Sequence, residues 1–457
     1  MLTVILGMTA SAQTARQVTL PLSEDGAARL VVYFPQQPTG RAIVACPGGG
    51  YAFLSNTQEG ADWSGFFNER GITFALVNYR LPHGDRTLPV TDVEQAMRMM
   101  RDSASVWNLN PHDIGIMGSS AGGHLASTIA THETAELRPD FQLLFYPVIT
   151  MNARGTHQGS LENFLGEQRS DRETVQLYSN ERQVHRHMTP PALLLLSNDD
   201  AVVPPVPNAV AYYTAMRNAG LPCTMHIYPS GGHGYGFRSD FAYHREMLDD
   251  IDAWLAQLPV HTDAQVRVAC IGDSITDGDG IDLNDVNGYP AQLERMLGEQ
   301  YWVRNFGVSA RTLMNKGDLP YMNEPAWQEA QAFRPDIVVI KLGTNDSKTA
   351  NWVHKDTFAG DLQLMIDTLK ALPSHPQIYL CTPIPVAHDN FTITEKVLGG
   401  EIVPLIRQVA RKNGLPVIDL HEALTGQDRL MQRDGIHPTQ AGARRMAETV
   451  AEQIRRP

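Results

Sequence analysis

Two serines stand at the end of an apolar, β-branched run and at the start of a segment with helical spacing. Ser120 follows residues 113–117 and precedes residues 123–127, and Ser274 follows residues 266–271. The apolar runs show no polar alternation, which indicates parallel strands covered by helices on both faces. The chain is therefore constrained to an α/β fold in two separate places.

The alternation of strand-like and helix-like segments occurs twice along the 457 residues. From about residue 16 to 258, apolar runs alternate with amphipathic stretches, and a second pattern begins at residue 266. The short polar segment 259–265 between them begins with proline and is typical of a linker. Because the halves share neither motif nor spacing, we predict two unlike domains, 13–258 and 266–457. In one predicted helix of the first domain, four residues fall on one face: Val93, Ala96, Met97 and Met100.

The first residues of the chain combine a short apolar core with Ala10-Ser11-Ala12, the small-x-small pattern that signal peptidase cuts. We therefore expect residues 1–12 to be a signal peptide and the mature chain to be secreted or periplasmic. No Lys or Arg precedes the apolar core, so a start upstream of Met1 and a buried first strand remain as alternatives.

The formal charge of −13 argues against several classes of partner. Nucleic acid and anionic membrane surfaces both require clustered Lys and Arg, and no basic run is present. Beyond the N-terminus no apolar run approaches the ~20 residues of a membrane span, so we expect no membrane insertion. No sequence feature specifies an oligomeric state. Four cysteines, Cys46, Cys223, Cys270 and Cys381, are far apart without CxxC spacing, which argues against a zinc site or a disulfide scaffold. Three of them, Cys46, Cys270 and Cys381, lie in or beside apolar runs, which favours buried free thiols at strand ends.

Residues 118–122 match the pattern G-x-S-x-G, with Ser120 at the centre. A serine at such a turn is held in strained backbone geometry, and small neighbours let the chain pass close beneath it. The serine needs a base that a carboxylate orients, in the chain order Ser, Asp, His. His233, in a glycine-rich loop, is the expected base. Asp200, at a strand end, is the expected acid, with Asp199 as its rival.

Backbone amides near the serine are expected to stabilise the oxyanion of a tetrahedral intermediate. The glycine-rich segment 47–50 directly follows a strand-like run. We expect the amides of Gly49, Gly50 and Ala121 to be the donors. Three other histidines are expected to cap, pack or face solvent: His124, His185 and His187.

Four segments of this half, CPGGGY, GSSAGGHLA, NDDAVVPP and PSGGHGYGF, together resemble those of α/β-hydrolase esterases found fused to xylan-degrading enzymes. The resemblance covers nearly the whole first domain, and that family is similar to acetylxylan esterases and lipase-like carboxylesterases. It implies an α/β-hydrolase fold with a doubly wound, mostly parallel sheet. It also implies ester hydrolysis without a cofactor.

The second half carries four short blocks in order: Gly272-Asp273-Ser274, Gly307 in NFGVS, Asn345 in LGTND, and Asp434 with His437 in DGIHP. Asp434 and His437 are close enough on one loop for the carboxylate to reach the imidazole. Two further acids, Asp273 and Asp346, are expected to fix local loops.

These blocks resemble those of the SGNH, or GDSL, hydrolases over about residues 266–454. The resemblance implies a flavodoxin-like α/β/α domain in which Ser274 attacks, His437 is the base and Asp434 orients it. It further implies an oxyanion hole made by the amides of Ser274 and Gly307 and by the Asn345 side chain.

Both domains point to nucleophilic acyl transfer through an acyl-enzyme that water resolves. No cluster with metal-ligand spacing is present, so we expect no metal and no other cofactor. The expected substrate is acetylated carbohydrate. Acetylated xylan comes first because the first domain's resemblance lies there, and acetylated sialic acid is the alternative drawn from relatives of the second domain.

Two other interpretations compete with a dual carbohydrate esterase. A prolyl peptidase shares the first fold, but an SGNH partner domain argues against it. Alternatively, the protein is a general short-chain carboxylesterase whose second domain binds carbohydrate without hydrolysing it. Its intact set of four residues, Ser274, Asn345, Asp434 and His437, argues against lost chemistry.

Overall fold

The computed structural model describes residues 16–455, so the predicted signal peptide at residues 1–12 lies outside the described residues. The chain divides into two compact units, and the main boundary lies between Val260 and His261. This boundary falls inside the segment 259–265 that the sequence predicts to be a linker.

The first unit contains eight strands: β1 (Gln17–Pro21), β2 (Arg29–Tyr33), β3 (Ala42–Cys46), β4 (Thr73–Asn78), β5 (Ile114–Ser119), β6 (Gln142–Phe145), β7 (Ala192–Ser197) and β8 (Cys223–Tyr228). They form one sheet in the order β1-β2-β4-β3-β5-β6-β7-β8. Strand β2 runs antiparallel to β1 and β4, and the other neighbouring pairs are parallel. The predicted mostly parallel sheet is confirmed.

The central strands of this sheet are apolar throughout because helices cover both of its faces. Every residue of β3, β5, β6 and β7 is buried. Helices in this part of the chain are α1 (Trp63–Glu69), α2 (Thr87–Asp102), α3 (Ala104–Trp107), α4 (Ala121–His132), α5 (Gln158–Leu165), α6 (Arg172–Leu177), α7 (Ala211–Asn218) and α8 (His244–Leu255). As the spacing predicts, α2 buries Val93, Ala96, Met97 and Met100.

The second unit has five strands: β9 (Val266–Gly272), β10 (Tyr301–Gly307), β11 (Ile337–Lys341), β12 (Gln377–Cys381) and β13 (Val417–Ile418). All neighbouring pairs are parallel, in the order β10-β9-β11-β12-β13. In order of appearance along the chain this is the flavodoxin-like arrangement 2-1-3-4-5. The flavodoxin-like α/β/α fold predicted for the second domain is confirmed.

Helices pack on both faces of the second sheet. Along β9, Ala269 and Ile271 belong to one buried apolar cluster, and Val268 and Cys270 to another. The helices are α9 (Ser274–Asp277), α10 (Asn284–Asn287), α11 (Tyr289–Leu297), α12 (Pro325–Ala332), α13 (Thr349–Trp352), α14 (Phe358–Lys370), α15 (Glu395–Val397), α16 (Val403–Asn413), α17 (Leu420–Leu424) and α18 (Gln440–Ile454). Across residues 16–455, no helix combines the length and the apolar character that crossing a membrane requires.

Parallel strands bring the sequence-predicted site residues to one edge of each sheet. In the first unit, the loops after β3, β5, β7 and β8 carry residues 47–50, Ser120, Asp200 and His233. In the second unit, Ser274 follows β9 and Asn345 follows β11. Because the carboxyl ends of parallel strands meet at one edge, residues far apart in sequence can converge there.

Three of the four cysteines are buried inside strands, as predicted. Cys46, Cys270 and Cys381 lie in β3, β9 and β12, Cys223 is half-buried at the start of β8, and none of the four forms a disulfide. Burial raises the pKa of the Cys270 thiol to about 12. This keeps the thiol protonated and unreactive near neutral pH.

Glu294 on α11 makes the stability of the second unit depend on pH. Its Oε1 accepts the Val303 N–H at 2.9 Å, and burial raises the pKa of its carboxyl to about 7. The folded chain therefore keeps a proton here that the unfolded chain releases near pH 4.5. This contribution to the free energy of unfolding is present below pH 4.5 and is lost as the pH rises through 7.

Glu294→Gln keeps the acceptor for Val303 and removes the charge. We expect it to raise the free energy of unfolding by about 1–2 kcal/mol at pH 8 and to change it little at pH 4. Hydrogen-exchange mass spectrometry on peptides of the second unit measures this free energy apart from that of the first. Exposed Glu452 provides the control, since Glu452→Gln should have no such pH dependence. Equal effects of Glu294→Gln at both pH values would contradict the prediction.

Candidate active sites

Ser120 occupies the turn between β5 and α4 with φ 53° and ψ −121°, a conformation that residues with a side chain rarely adopt. The chain passes close beneath this turn. A Cβ on Gly122 would lie 2.1 Å from the carbonyl oxygen of Cys46, so only glycine fits there. The Ser120 N–H donates to the carbonyl of Phe145 at 3.0 Å, which further fixes the turn.

The first site contains a hydrogen-bonded triad of Ser120, His233 and Asp200. His233 Nε2 lies 2.8 Å from Ser120 Oγ, and Nδ1 lies 2.7 Å from Asp200 Oδ2. Asp200 Oδ1 accepts the N–H groups of Val202 and Val203, both at 2.9 Å. The Asp200 side chain is almost completely buried, at 1% exposure. The carboxylate is thus fixed from one side and orients the imidazole on the other.

Asp199, the alternative acid, does not reach the histidine ring. Its Oδ1 accepts the Gly232 N–H at 2.8 Å. This hydrogen bond lowers the pKa of its exposed carboxyl. Asp199 therefore holds the loop that precedes His233, and Asp200 is the carboxylate that contacts the imidazole.

The segment 47–50 lies directly against the serine. A Cβ on Gly48 would be 3.0 Å from Ser120 Cβ. Among the described residues, the amides of Gly49, Gly50 and Ala121 have no hydrogen-bond acceptor. These three predicted donors are therefore free to bind a developing oxyanion.

A buried carboxylate that the motifs do not include supports this loop. Glu59, in the π-helical turn Thr57–Ala61, is 4% exposed. Its Oε2 accepts the Gly48 N–H at 3.0 Å, and Oε1 accepts the hydroxyl of Tyr146 at 2.8 Å. The same hydroxyl accepts the Gly236 N–H at 2.9 Å. Burial raises the pKa of Glu59, although the hydrogen bond from Tyr146 opposes this.

Two other histidines lie near the first site. His124 is fully buried between the Tyr51 hydroxyl and the Tyr178 carbonyl, and burial lowers its pKa to about 3, so it packs as predicted. His157 was not identified from sequence. Its Nδ1 accepts the Ser160 N–H at 3.2 Å, and a Cβ on Gly50 would lie 3.2 Å from its ring.

Burial lowers the pKa of His157, and the nearby charge of His233 lowers it further. In the neutral ring that accepts at Nδ1, the hydrogen is on Nε2. His157 is therefore a candidate donor at the rim of the first site.

The second site has the same chemistry on a different scaffold. His437 Nε2 lies 2.8 Å from Ser274 Oγ, and Nδ1 lies 2.6 Å from Asp434 Oδ2. Asp434 Oδ1 accepts the N–H groups of Ile436 and His437, at 2.9 and 3.0 Å. Burial acts to raise the pKa of Asp434, but the hydrogen bonds from His437 and Ile436 outweigh it and hold that pKa below the ordinary value. The acid is therefore ionised and oriented towards the imidazole.

Of the other two predicted donors at the second site, the Asn345 side chain keeps one N–H for a ligand, whereas the Gly307 N–H already has an acceptor. Asn345 Nδ2 donates to the Arg311 carbonyl at 3.2 Å, which leaves its second N–H for a ligand. The single N–H of Gly307 donates to Asn305 Oδ1 at 2.9 Å. A Cβ on Gly307 would lie 2.2 Å from the Asp277 amide. Glycine is required there for close packing.

Ala310 is the stronger candidate for the amide donor. It has φ 66°, in the left-handed region that alanine rarely adopts. It adjoins Arg311, whose carbonyl binds Asn345. Among the described residues, its own N–H has no acceptor. The donor loop therefore extends past the predicted Gly307 to Ala310, an alanine that no sequence motif indicates.

Beneath Ser274, two buried acids hold the loops in place, as predicted. Asp273 accepts two contacts from Lys341 Nζ, at 2.9 and 3.0 Å, and both side chains are fully buried. Asp346 accepts the N–H groups of Leu313 and Met314, at 2.9 and 2.8 Å. Burial raises the pKa of Asp346 to about 7. No group of three or more His, Cys, Asp or Glu between residues 16 and 455 is placed to hold a metal ion.

Two protein families match the two halves of the chain separately, and one relative matches nearly the whole chain. The alpha/beta hydrolase fold family matches residues 43–237, and the GDSL-like Lipase/Acylhydrolase family matches residues 270–445. Over 469 aligned positions the chain is 52% identical to an acetylxylan esterase of Xylanibacter ruminicola, which covers 99% of this chain and 98% of the relative.

Two further proteins are each similar to a part of the chain. Endo-1,4-beta-xylanase B of Butyrivibrio fibrisolvens is 32% identical over 216 residues, which are 43% of this chain and 33% of that protein. The crystal structure of an acetyl ester-xyloside bifunctional hydrolase from Caldicellulosiruptor lactoaceticus is 31% identical, with a TM-score of 0.48. The aligned region covers 54% of this chain and 98% of the bifunctional hydrolase.

Proposed function

Since the chain belongs to the acetylxylan esterase family, we propose that it removes acetyl groups from xylan and its oligosaccharides at two independent serine sites. The chain is a carboxylic ester hydrolase. The observation that carries the proposal is the presence of two complete Ser-His-Asp triads, each accompanied by N–H donors that have no acceptor within residues 16–455. Both domains therefore have the groups that ester hydrolysis needs.

At the first site, Ser120 Oγ attacks the acetyl carbonyl while His233 Nε2 takes its proton. Asp200 stabilises the imidazolium through Nδ1. The negative charge on the carbonyl oxygen is stabilised by the amides of Gly49, Gly50 and Ala121. The imidazolium then gives its proton to the sugar oxygen, which leaves, and water resolves the acetyl-enzyme by the same steps.

At the second site, Ser274, His437 and Asp434 perform the same steps. The Asn345 side chain and the amides of Ser274 and Ala310 bind the oxyanion. We also propose that residues 1–12 direct the chain to the periplasm or the exterior, where a polymer such as xylan is accessible.

The proposal is tested by acetate release from acetylated xylan and acetylated xylo-oligosaccharides, with the cleaved positions located by NMR. Acetyl, butyryl and octanoyl esters are compared by kcat/KM, and we expect the acetyl ester to be preferred. Acetylated sialic acid serves as the alternative substrate. Release from the sialic acid but not from xylan, or a steady rise towards octanoyl, would contradict the proposal.

Glu59→Gln is expected to lower kcat at the first site roughly tenfold. An amide can accept from only one of the two donors that Glu59 binds, and a buried donor left without a partner costs about 1–3 kcal/mol. The Gly48 amide or the Tyr146 hydroxyl then turns away, and the adjoining donors Gly49 and Gly50 move. The measurement is acetate release by the Ser120 site in a Ser274→Ala background.

The matched control for this prediction is Glu162→Gln, because Glu162 is exposed on α5 of the same domain. It should leave kcat unchanged. Tyr146→Phe removes the hydroxyl that joins Glu59 to Gly236 and should lower kcat as well. A wild-type kcat in Glu59→Gln would show that the carboxylate does not hold the loop.

A further inference from the structure

Two exposed aromatic rings stand out against the rest of the molecule. Phe53 is 61% exposed and Phe391 is 57% exposed. Every other Phe, Tyr and Trp side chain between residues 16 and 455 is buried or half-buried. The other exposed large apolar side chains of this range are aliphatic. The two rings lie in different units, and each is attached to a loop of one serine site.

Phe53 belongs to the loop of the first oxyanion donors. Its N–H and that of Ala52 donate to the Gly49 carbonyl, at 3.3 and 3.0 Å, and the Ser55 N–H donates to the Gly48 carbonyl at 3.0 Å. A Cβ on Gly49 would lie 3.1 Å from Phe53 Cδ2. The edge of the ring therefore lies close to the Gly49 backbone, whose amide is a predicted oxyanion donor.

Phe391 belongs to a turn that is fixed to the second catalytic loop. The neighbouring Asn390 side chain donates to the Asp434 carbonyl at 3.0 Å, and the Ala387 N–H donates to the Gly435 carbonyl at 2.9 Å. Phe391 has φ 52° and Thr392 has φ 62°. Two consecutive left-handed residues that are not glycine are costly, and such strain concentrates at functional sites.

The chemistry of an exposed phenyl ring limits the kind of ligand that can stack on it. The ring face carries partial negative charge, offers no hydrogen bond and attracts the weakly positive C–H groups of a stacked partner. One face of a pyranose ring presents such C–H groups while its hydroxyls point outward. An acetylated sugar whose ester carbon is at the serine has its ring a few ångströms away, and each phenyl ring belongs to a loop or turn that is hydrogen-bonded within the loops of one serine site.

We propose that Phe53 and Phe391 are the sugar-stacking residues of the two active sites. Each phenyl ring binds the sugar that carries the ester, or the adjacent sugar of the oligosaccharide. This inference rests on the proposed function, because the occupant is the carbohydrate substrate. It assigns to each site a binding residue that none of the catalytic motifs contains.

The test measures selectivity for a sugar ester over an ester without a ring. Phe53→Ala is made in a Ser274→Ala background and Phe391→Ala in a Ser120→Ala background, so that one site reports at a time. The readout is kcat/KM for an acetylated xylo-oligosaccharide divided by kcat/KM for ethyl acetate. We expect each variant to lower this ratio about five- to tenfold, mainly through KM for the oligosaccharide.

Replacement by another aromatic residue separates stacking from general packing. Phe53→Trp and Phe391→Trp should keep the ratio, whereas Phe53→Leu and Phe391→Leu should lose it. The matched controls are Val106→Ala and Leu364→Ala, exposed apolar positions of the first and second units at 74% and 48%. These controls should leave the ratio at its wild-type value.

Failure of this inference differs from failure of the proposed function. If the wild-type chain releases acetate from the oligosaccharide and the Ala variants keep its selectivity ratio, the stacking role is wrong and the esterase function stands. The same holds if the Leu variants behave like the Trp variants. If the wild-type chain hydrolyses ethyl acetate but no sugar ester, both the function and its stacking residues are overturned.

Discussion

Ser120→Ala is expected to abolish acetyl release by the first domain and to leave that of the second intact, and Ser274→Ala is expected to do the reverse. Each substitution removes the oxygen that lies 2.8 Å from a histidine Nε2. Loss of a serine nucleophile costs roughly 10⁴-fold or more in kcat. Because each domain has its own nucleophile, base, acid and oxyanion donors, only the double variant should be inactive on every ester.

The measurement is the pattern of acetate release from acetylated xylan, resolved by position with NMR. Each single variant should retain a different part of the wild-type pattern. Ser119→Ala is the matched control beside the first nucleophile, since the Ser119 hydroxyl has no hydrogen-bond partner among the described residues. Complete loss in either single variant would mean that the sites are coupled. A Ser274→Ala chain with the full pattern would make the second domain a binding module.

The apolar runs are sufficient to predict two α/β domains with parallel sheets because their central strands are buried on two faces, whereas the particular folds are implied by the family resemblance of the motif segments. Such strands must be apolar throughout, so β3, β5, β6 and β7 are visible as uninterrupted apolar runs. The restart of the pattern at residue 266 likewise marks β9. The antiparallel pairing of β1 with β2 could not be predicted, since both strands are partly exposed near one edge of the sheet and no motif specifies their partners.

Residues that belong to a catalytic motif are predictable from the sequence. Residues whose role depends only on contacts with distant parts of the chain are not. The two histidines lie within 2.8 Å of the serines named from the motifs. Glu59 contacts Tyr146, which is 87 residues away, and nothing in the neighbouring sequence marks that carboxylate. Gly307 shows the opposite failure. Glycine is required there by the close approach of Asp277, whereas the family pattern predicts that the Gly307 amide is an oxyanion donor.

Lys341→Met is expected to destabilise the second domain by about 3–5 kcal/mol, the cost of leaving one member of a buried ion pair alone. Lys341 is fully buried at the end of β11. Its Nζ donates to both oxygens of Asp273 and, at 2.8 Å, to Thr344 Oγ1. Burial lowers the pKa of Lys341, and Asp273 opposes that effect. Methionine fills similar volume but leaves the Asp273 carboxylate without a counterion.

The same substitution should also lower kcat at Ser274, because Asp273 precedes the nucleophile and its Oδ1 accepts the Ile275 N–H at 3.1 Å. The double variant Asp273→Asn/Lys341→Met removes the uncompensated charge and keeps an oxygen for Ile275. We therefore expect it to be more stable than Lys341→Met alone, which a double-mutant cycle measured by hydrogen exchange in the second unit can show. Activity at Ser120 serves as the internal control in both variants. If the double variant were as unstable as the sum of the two single variants, Asp273 and Lys341 would act independently, and the stability of this strand end would come from packing alone.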